Sequence, residues 1–172
     1  EDLAARGVVV VEEPSQTPQG YTLVIRSHGV SREVEEKIQA LSIPCVDATC
    51  PFVKKIHGLA QQAGKEGKVF LLAGDQDHPE VKGIVGHCKG ENFVVKNSEE
   101  LVDLLNFYPE LCEKPLAVAA QTTFHAGEWE KCLETLKKLC TNATFFATIC
   151  NATARRQKEA KTLAQHCDRM VV

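Results

Sequence analysis

Short apolar stretches of extended character alternate with longer amphipathic stretches along this chain, and that alternation restricts its fold more than any other feature. Extended signals fall at residues 8–11, 22–25, 43–47, 69–73, 92–95, 116–120 and 144–148. Between them the apolar residues recur at helical spacing. Ser31 suits the cap of a helix over 32–41, and Pro51 the favoured first position of a helix over 51–64. A short helix is predicted from Pro79, one over 98–107 capped by Ser98, one over 127–139 and one over 152–165. Residues 2–7 read as the end of a helix capped by Gly7, and 169–172 as a further strand. The expected fold class is α/β, with repeated small units, mostly parallel sheets and helices on both faces.

Composition narrows the functional classes. The 172 residues are 44% hydrophobic and 25% charged, with a net charge of -3. That is the balance of an ordinary soluble protein. Lys54-Lys55 and Arg155-Arg156 are isolated basic pairs, so no nucleic-acid surface is expected. No apolar run approaches the ~20 residues of a membrane span, so no membrane partner is expected. The eight cysteines form no CxxC pair and no compact disulfide framework. Together with the α/β pattern they point to a reducing, cytoplasmic location. The abrupt first and last residues suggest a piece of a longer protein.

The polar residues that can carry chemistry all lie just past predicted strand ends. Ser27-His28-Gly29 follows one strand, and Cys50 the next. His78-Pro79-Glu80, Gln121-Thr122-Thr123 and Cys150 follow three more. In open α/β sheets that edge is where ligands bind. Cys50 and Cys150 also close two copies of one pattern, Ala48-Thr49-Cys50 and Ala147-Thr148-Ile149-Cys150, each running straight into a helix. A helix start favours negative charge and so a thiolate, the form that binds iron and zinc.

Each group also has a plainer reading. Cys50 and Cys150 are metal ligands or small buried hydrophobes. His28 belongs to a site or to a turn. His78 and Glu80 bind phosphate and move protons, or they cap a helix. Thr122 and Thr123 donate hydroxyls or cap the following helix. The other six cysteines read as structural, Cys88 among them although His87 beside it is a metal-binding type of neighbour. No role is assigned to His57, His125 or His166.

Five strings taken in order resemble the LytB family, 4-hydroxy-3-methylbut-2-enyl diphosphate reductases of isoprenoid biosynthesis. They are Arg26-Ser27-His28-Gly29-Val30-Ser31, Asp47-Ala48-Thr49-Cys50-Pro51-Phe52-Val53-Lys54-Lys55-Ile56-His57, His78-Pro79-Glu80-Val81-Lys82-Gly83, Gln121-Thr122-Thr123 and Thr148-Ile149-Cys150-Asn151-Ala152-Thr153. The resemblance implies three α/β units around a 4Fe–4S cluster, with Cys50 and Cys150 as two of its three ligands and the third before Glu1. On that basis residues 1–50 end the first unit, 51–146 form the middle one and 147–172 begin the third.

The resemblance further implies that His28 and His78 bind the substrate diphosphate. Glu80 would supply protons, aided by Thr122 or Thr123, in a two-electron, two-proton reductive dehydroxylation of an allylic diphosphate of the non-mevalonate pathway. The products would be isopentenyl and dimethylallyl diphosphates, and ferredoxin or flavodoxin would donate the electrons. Phe124-His125 departs from the Leu-Ser of many members. A piece lacking one ligand is expected to be inactive alone and to hold no stable cluster. The rival readings are a metal-free α/β binding module and a hydrolase with Cys50 as nucleophile and His28 or His78 as base.

Overall fold

The computed structural model describes residues 2–171. Its centre is a four-stranded sheet in the order β4-β3-β5-β6, built from Val69–Ala73 (β3), Asn92–Val95 (β4), Leu116–Ala120 (β5) and Ala143–Phe145 (β6). All three pairings are parallel. A second sheet pairs Leu23–Ile25 (β1) with Cys45–Asp47 (β2), also in parallel. The expected α/β class with parallel sheets is the one observed.

The central strands are buried on both faces, and their side chains divide by the two-residue period of a strand. Val69, Leu71, Ala73, Leu116, Val118 and Ala120 face one core with Leu101, Leu105, Trp129 and Leu136. These last four belong to Ser98–Phe107 (α5) and Ala126–Leu139 (α6). Phe70, Leu72, Ala117 and Ala119 face the other core with Ile56, Ala60, Val81 and Ile84. Their helices are Pro51–Lys65 (α3) and Pro79–Val85 (α4). Helices therefore cover both faces, and every parallel crossover of the central sheet returns through one of them.

Flanking this body are Asp2–Ala5 (α1), Arg32–Ala40 (α2) and Asn151–His166 (α7). Ser31 caps α2 as its position predicts, its hydroxyl accepting from the Val34 N–H. Short 3-10 turns at Pro14–Gln16 and Pro109–Cys112 have no counterpart among the predicted elements. No described helix is long and apolar enough to cross a membrane.

Three expectations are corrected. Residues 8–11 form no strand and expose Val8, Val9 and Val10. A valine run makes a ladder only beside a partner strand, and no described strand lies alongside. Residues 169–171 likewise form no strand, and Val172 lies outside the described residues. The cap of α5 is Asn97, whose Oδ1 accepts from the Glu100 N–H at 2.8 Å. Ser98 instead binds Glu128 through both its N–H and its hydroxyl, tying α5 to α6.

Leu72 is fully enclosed between β3 and the α3–α4 layer. Leu72→Ala is expected to cost about 2–5 kcal/mol of unfolding free energy. Leu139→Ala, on the exposed side of α6, should stay within about 0.5 kcal/mol. Urea unfolding monitored by circular dichroism measures both.

Candidate active site

The predicted site residues other than Thr123 form one continuous run of contacts across the carboxyl ends of the strands. It starts at Cys50, whose N–H donates to Ser27 O at 3.0 Å. The neighbouring His28 ring meets the His78 ring edge to face, with centroids 5.5 Å apart. His78 caps α4, and its Nδ1 accepts from the Glu80 N–H at 3.1 Å. The Glu80 carboxylate accepts from the Thr122 N–H and from the Thr122 hydroxyl, each at 2.7 Å. Thr122 O accepts from the Cys150 N–H at 2.7 Å.

Local sequence explains each placement. Thr49 donates its N–H and hydroxyl to Asp47 Oδ1, which shapes the loop ahead of Cys50. Burial pushes the Asp47 carboxyl up, but bonds from the Lys54 ammonium and from Thr49 outweigh it and hold its pKa down at about 2. Thr148 fills the corresponding place before Cys150 but works differently. Its hydroxyl donates to Ala120 O at 2.7 Å and accepts from the Ala120 N–H at 2.8 Å. It thereby continues the β5–β6 ladder with a side chain and delivers Cys150 beside Thr122.

Cys50 and Cys150 occupy the N-caps of α3 and α7, and neither makes a side-chain cap bond. Both are half-buried free thiols. Among the described residues their sulfurs make no hydrogen bond, and the first-turn N–H groups beside them favour an anionic group. This donor set fits a thiolate-held metal group. Among the described residues, no hydrogen bond joins Cys50 to an imidazole, which gives the thiol-hydrolase reading no support.

The two threonines part company. Thr122 is 6% exposed and serves Glu80, itself 3% exposed. Thr123 is exposed, and its hydroxyl accepts from the Gln121 amide at 3.2 Å. Neither caps α6; His125 does, its Nδ1 accepting from the Glu128 N–H. Cys88 lies against Gly90 O, and Cys132 and Cys140 sit in the core.

Sequence reasoning passed over a second cluster. His57 on α3 stacks on His87, with centroids 4.1 Å apart and planes 22° from parallel. His87 Nε2 lies 3.0 Å from Val30 O and 3.8 Å from Glu35 Oε1. Burial, and then His87, lowers the pKa of His57 to about 4. The signal was available in His57, which ends the longest of the five strings, and in His87 beside Cys88.

The parallel sheets and the polar side chains gathered past their strand ends define an α/β protein. Residues 1–172 match the family model described as LytB protein, and the chain belongs to that family. It is 38% identical over 173 residues to the 4-hydroxy-3-methylbut-2-enyl diphosphate reductase of Caldanaerobacter subterraneus subsp. tengcongensis, covering 99% of this chain and 58% of the relative. It is 41% identical to the protein of the same name from Solidesulfovibrio magneticus, covering 100% and 59%.

Two solved structures are similar. One is titled as (E)-4-hydroxy-3-methyl-but-2-enyl diphosphate reductase, the terminal enzyme of the non-mevalonate pathway, with TM-score 0.72 and 33% identity over 89% of this chain and 53% of that one. The other is the E-1-hydroxy-2-methyl-but-2-enyl-4-diphosphate reductase of Plasmodium falciparum, with TM-score 0.82 and 29% identity over 97% and 52%. The chain thus spans less than two thirds of the length of these relatives.

Two stability effects follow from the site. Thr122→Val strands a buried carboxylate oxygen and should cost about 1–3 kcal/mol at pH 7. Glu80→Gln keeps one acceptor and gains one donor toward Thr122, so it should cost less; chemical denaturation of the pair checks this order. For His57, the unfolded imidazole binds its proton near pH 6.5 and the folded one only near 4. Between these values the unfolded state holds more protons, so stability falls as the pH drops. The shift corresponds to roughly 3 kcal/mol in all. Denaturation midpoints from pH 7 to 4 should show that slope, and His57→Gln should flatten it.

Proposed function

We propose that this chain supplies the core of a 4Fe–4S reductase that converts 4-hydroxy-3-methylbut-2-enyl diphosphate to isopentenyl and dimethylallyl diphosphates in the cytoplasm. The observation that carries this reading is the unbroken run of contacts from Cys50 through His28, His78, Glu80 and Thr122 to Cys150. Family membership and the names of the relatives support it. Residues 1–50 then end one unit, 51–146 form the middle unit and 147–172 begin a third. Cys50 and Cys150 hold the cluster with a third cysteine from outside this chain. Ferredoxin or flavodoxin is the proposed electron source.

When bound, the cluster supplies the electrons and a Lewis-acidic iron for loss of the substrate hydroxyl. The chain's own residues hold the diphosphate and handle the protons. His78 Nδ1 is occupied as an acceptor, which leaves Nε2–H as the donor for a phosphate oxygen. His28 is the second imidazole at that place, and its buried Nδ1 has no partner among the described residues. Glu80 stores the proton. Its Oε2 lies 2.7 Å from the Thr122 hydroxyl, so the proton passes through a group that both donates and accepts. Thr123, hydrogen-bonded to Gln121, keeps the loop in place and offers an exposed hydroxyl to substrate.

The test uses the polypeptide at the full length of its relatives, reconstituted anaerobically with iron and sulfide. A broad absorption near ~400 nm is expected, lost in Cys50→Ser and in Cys150→Ser. Glu80→Gln should keep the colour while lowering kcat by about 10²–10⁴-fold. His28→Asn should raise KM. Colour retained in both serine variants would sink the ligand assignment.

A further inference from the structure

We propose that the stacked imidazoles of His57 and His87 are positioning residues that fix the separation of His28 from His78 by clamping the 27–31 loop against α4. This inference rests on the reading of His28 and His78 as diphosphate-binding groups.

The geometry is specific. Gly29 follows His28, is buried and has φ +71; a Cβ there would lie 2.5 Å from His57 Cε1 and 3.0 Å from Thr49 Cγ2. The loop backbone therefore rests directly on the edge of the His57 ring. On the other side stands α4, where a Cβ on Gly83 would lie 3.5 Å from both His57 Nε2 and His28 O. His57 thus fills the gap between the loop that carries His28 and the helix that carries His78 and Glu80. His87, just past the end of the same helix, takes the next loop residue through Val30 O at 3.0 Å. Gly86 completes the joint, since a Cβ there would lie 2.3 Å from Ser31 Cβ.

His57 also sits on the helix that begins after Cys50, so one ring ties the cysteine helix, the His28 loop and α4 together. Packing alone does not call for an imidazole here. His57 is 7% exposed, and its Nε2 has no hydrogen-bond partner among the described residues. A buried nitrogen without a partner is costly, and an aliphatic side chain would avoid that cost. What the ring adds is a flat edge that two glycine-bearing backbones can approach at once.

Chelation explains the cluster less well. Donor atoms of Glu35, His57 and His87 lie within 4.8 Å of one another. An ion binds imidazole in the plane of the ring, however, and two rings stacked only 22° from parallel do not share the plane that one ion would need. His87 Nε2 is also taken up by Val30 O.

The test measures binding of inorganic pyrophosphate to the full-length apoprotein by calorimetry, alongside KM and kcat of the reconstituted enzyme. His57→Leu and His87→Leu should each weaken pyrophosphate about tenfold and raise KM similarly, with kcat within about twofold. His57→Gln, whose flat amide enters the same slot, should recover most of the binding. If His57→Leu does not fold by circular dichroism, His87→Leu decides between the outcomes. Pyrophosphate binding weakened by His28→Asn but unchanged in every leucine variant that folds would overturn the positioning role alone. Binding indifferent to His28→Asn would remove the diphosphate reading, and this inference with it. Stoichiometric Zn²⁺ uptake abolished by the His57 or His87 variants would replace the clamp with a metal site.

Discussion

The bond pair between Glu80 and Thr122 is the constraint on which the site depends. A carboxylate carried almost fully out of water is costly unless its oxygens are satisfied. Here both oxygens accept from a single residue, one from the backbone and one from the hydroxyl. Thr122 lies just past β5 and Glu80 in the first turn of α4, so the pair fastens a helix to the end of the central strand. The Cys150 N–H then bonds to Thr122 O, and His78 is held by the Glu80 N–H. On one side the carboxylate reaches Cys150 through Thr122 and on the other the His78 imidazole, and it is the joint between them.

The repeated Ala-Thr pattern shows how like sequences reach like ends by different means. Thr49 bonds within its own loop to Asp47, while Thr148 bonds across to both backbone groups of Ala120. The first shapes a turn, and the second extends a sheet beyond its last backbone pair. Both leave a cysteine at the cap of a long helix without a side-chain cap bond. The repetition therefore concerns the placement of a thiol more than a shared local conformation.

The interior strands were legible because β3 and β5 are buried on both faces and read as continuous apolar runs. Residues 69–73 and 116–120 coincide with the observed strands for that reason. Residues 8–11 carry an equally apolar run, but a strand also needs a neighbour, and neighbours are not local information. The Ser98 and Asn97 assignment failed because both residues cap well; the choice turned on Glu128, 30 positions away, which claims the serine. The five strand-end groups were visible as positions. Which threonine meets Glu80 was not, since adjacent residues differ only in the direction their side chains take. His57 and His87 were invisible as a pair because 30 residues and a whole strand separate them.

His78 shows how the scaffold sets chemistry as well as position. Free imidazole exchanges protons between its two nitrogens, and as a cation it donates from both. The Glu80 N–H donates to the Nδ1 lone pair, so Nε2 is the nitrogen left to donate to a ligand. The ring therefore offers a hydrogen bond of fixed direction. A directed donor discriminates by geometry, and its value depends on the placement of its neighbour. That dependence is why the 5.5 Å approach of the His28 and His78 rings, and the joint of glycines and stacked imidazoles behind it, bears on how a diphosphate is held.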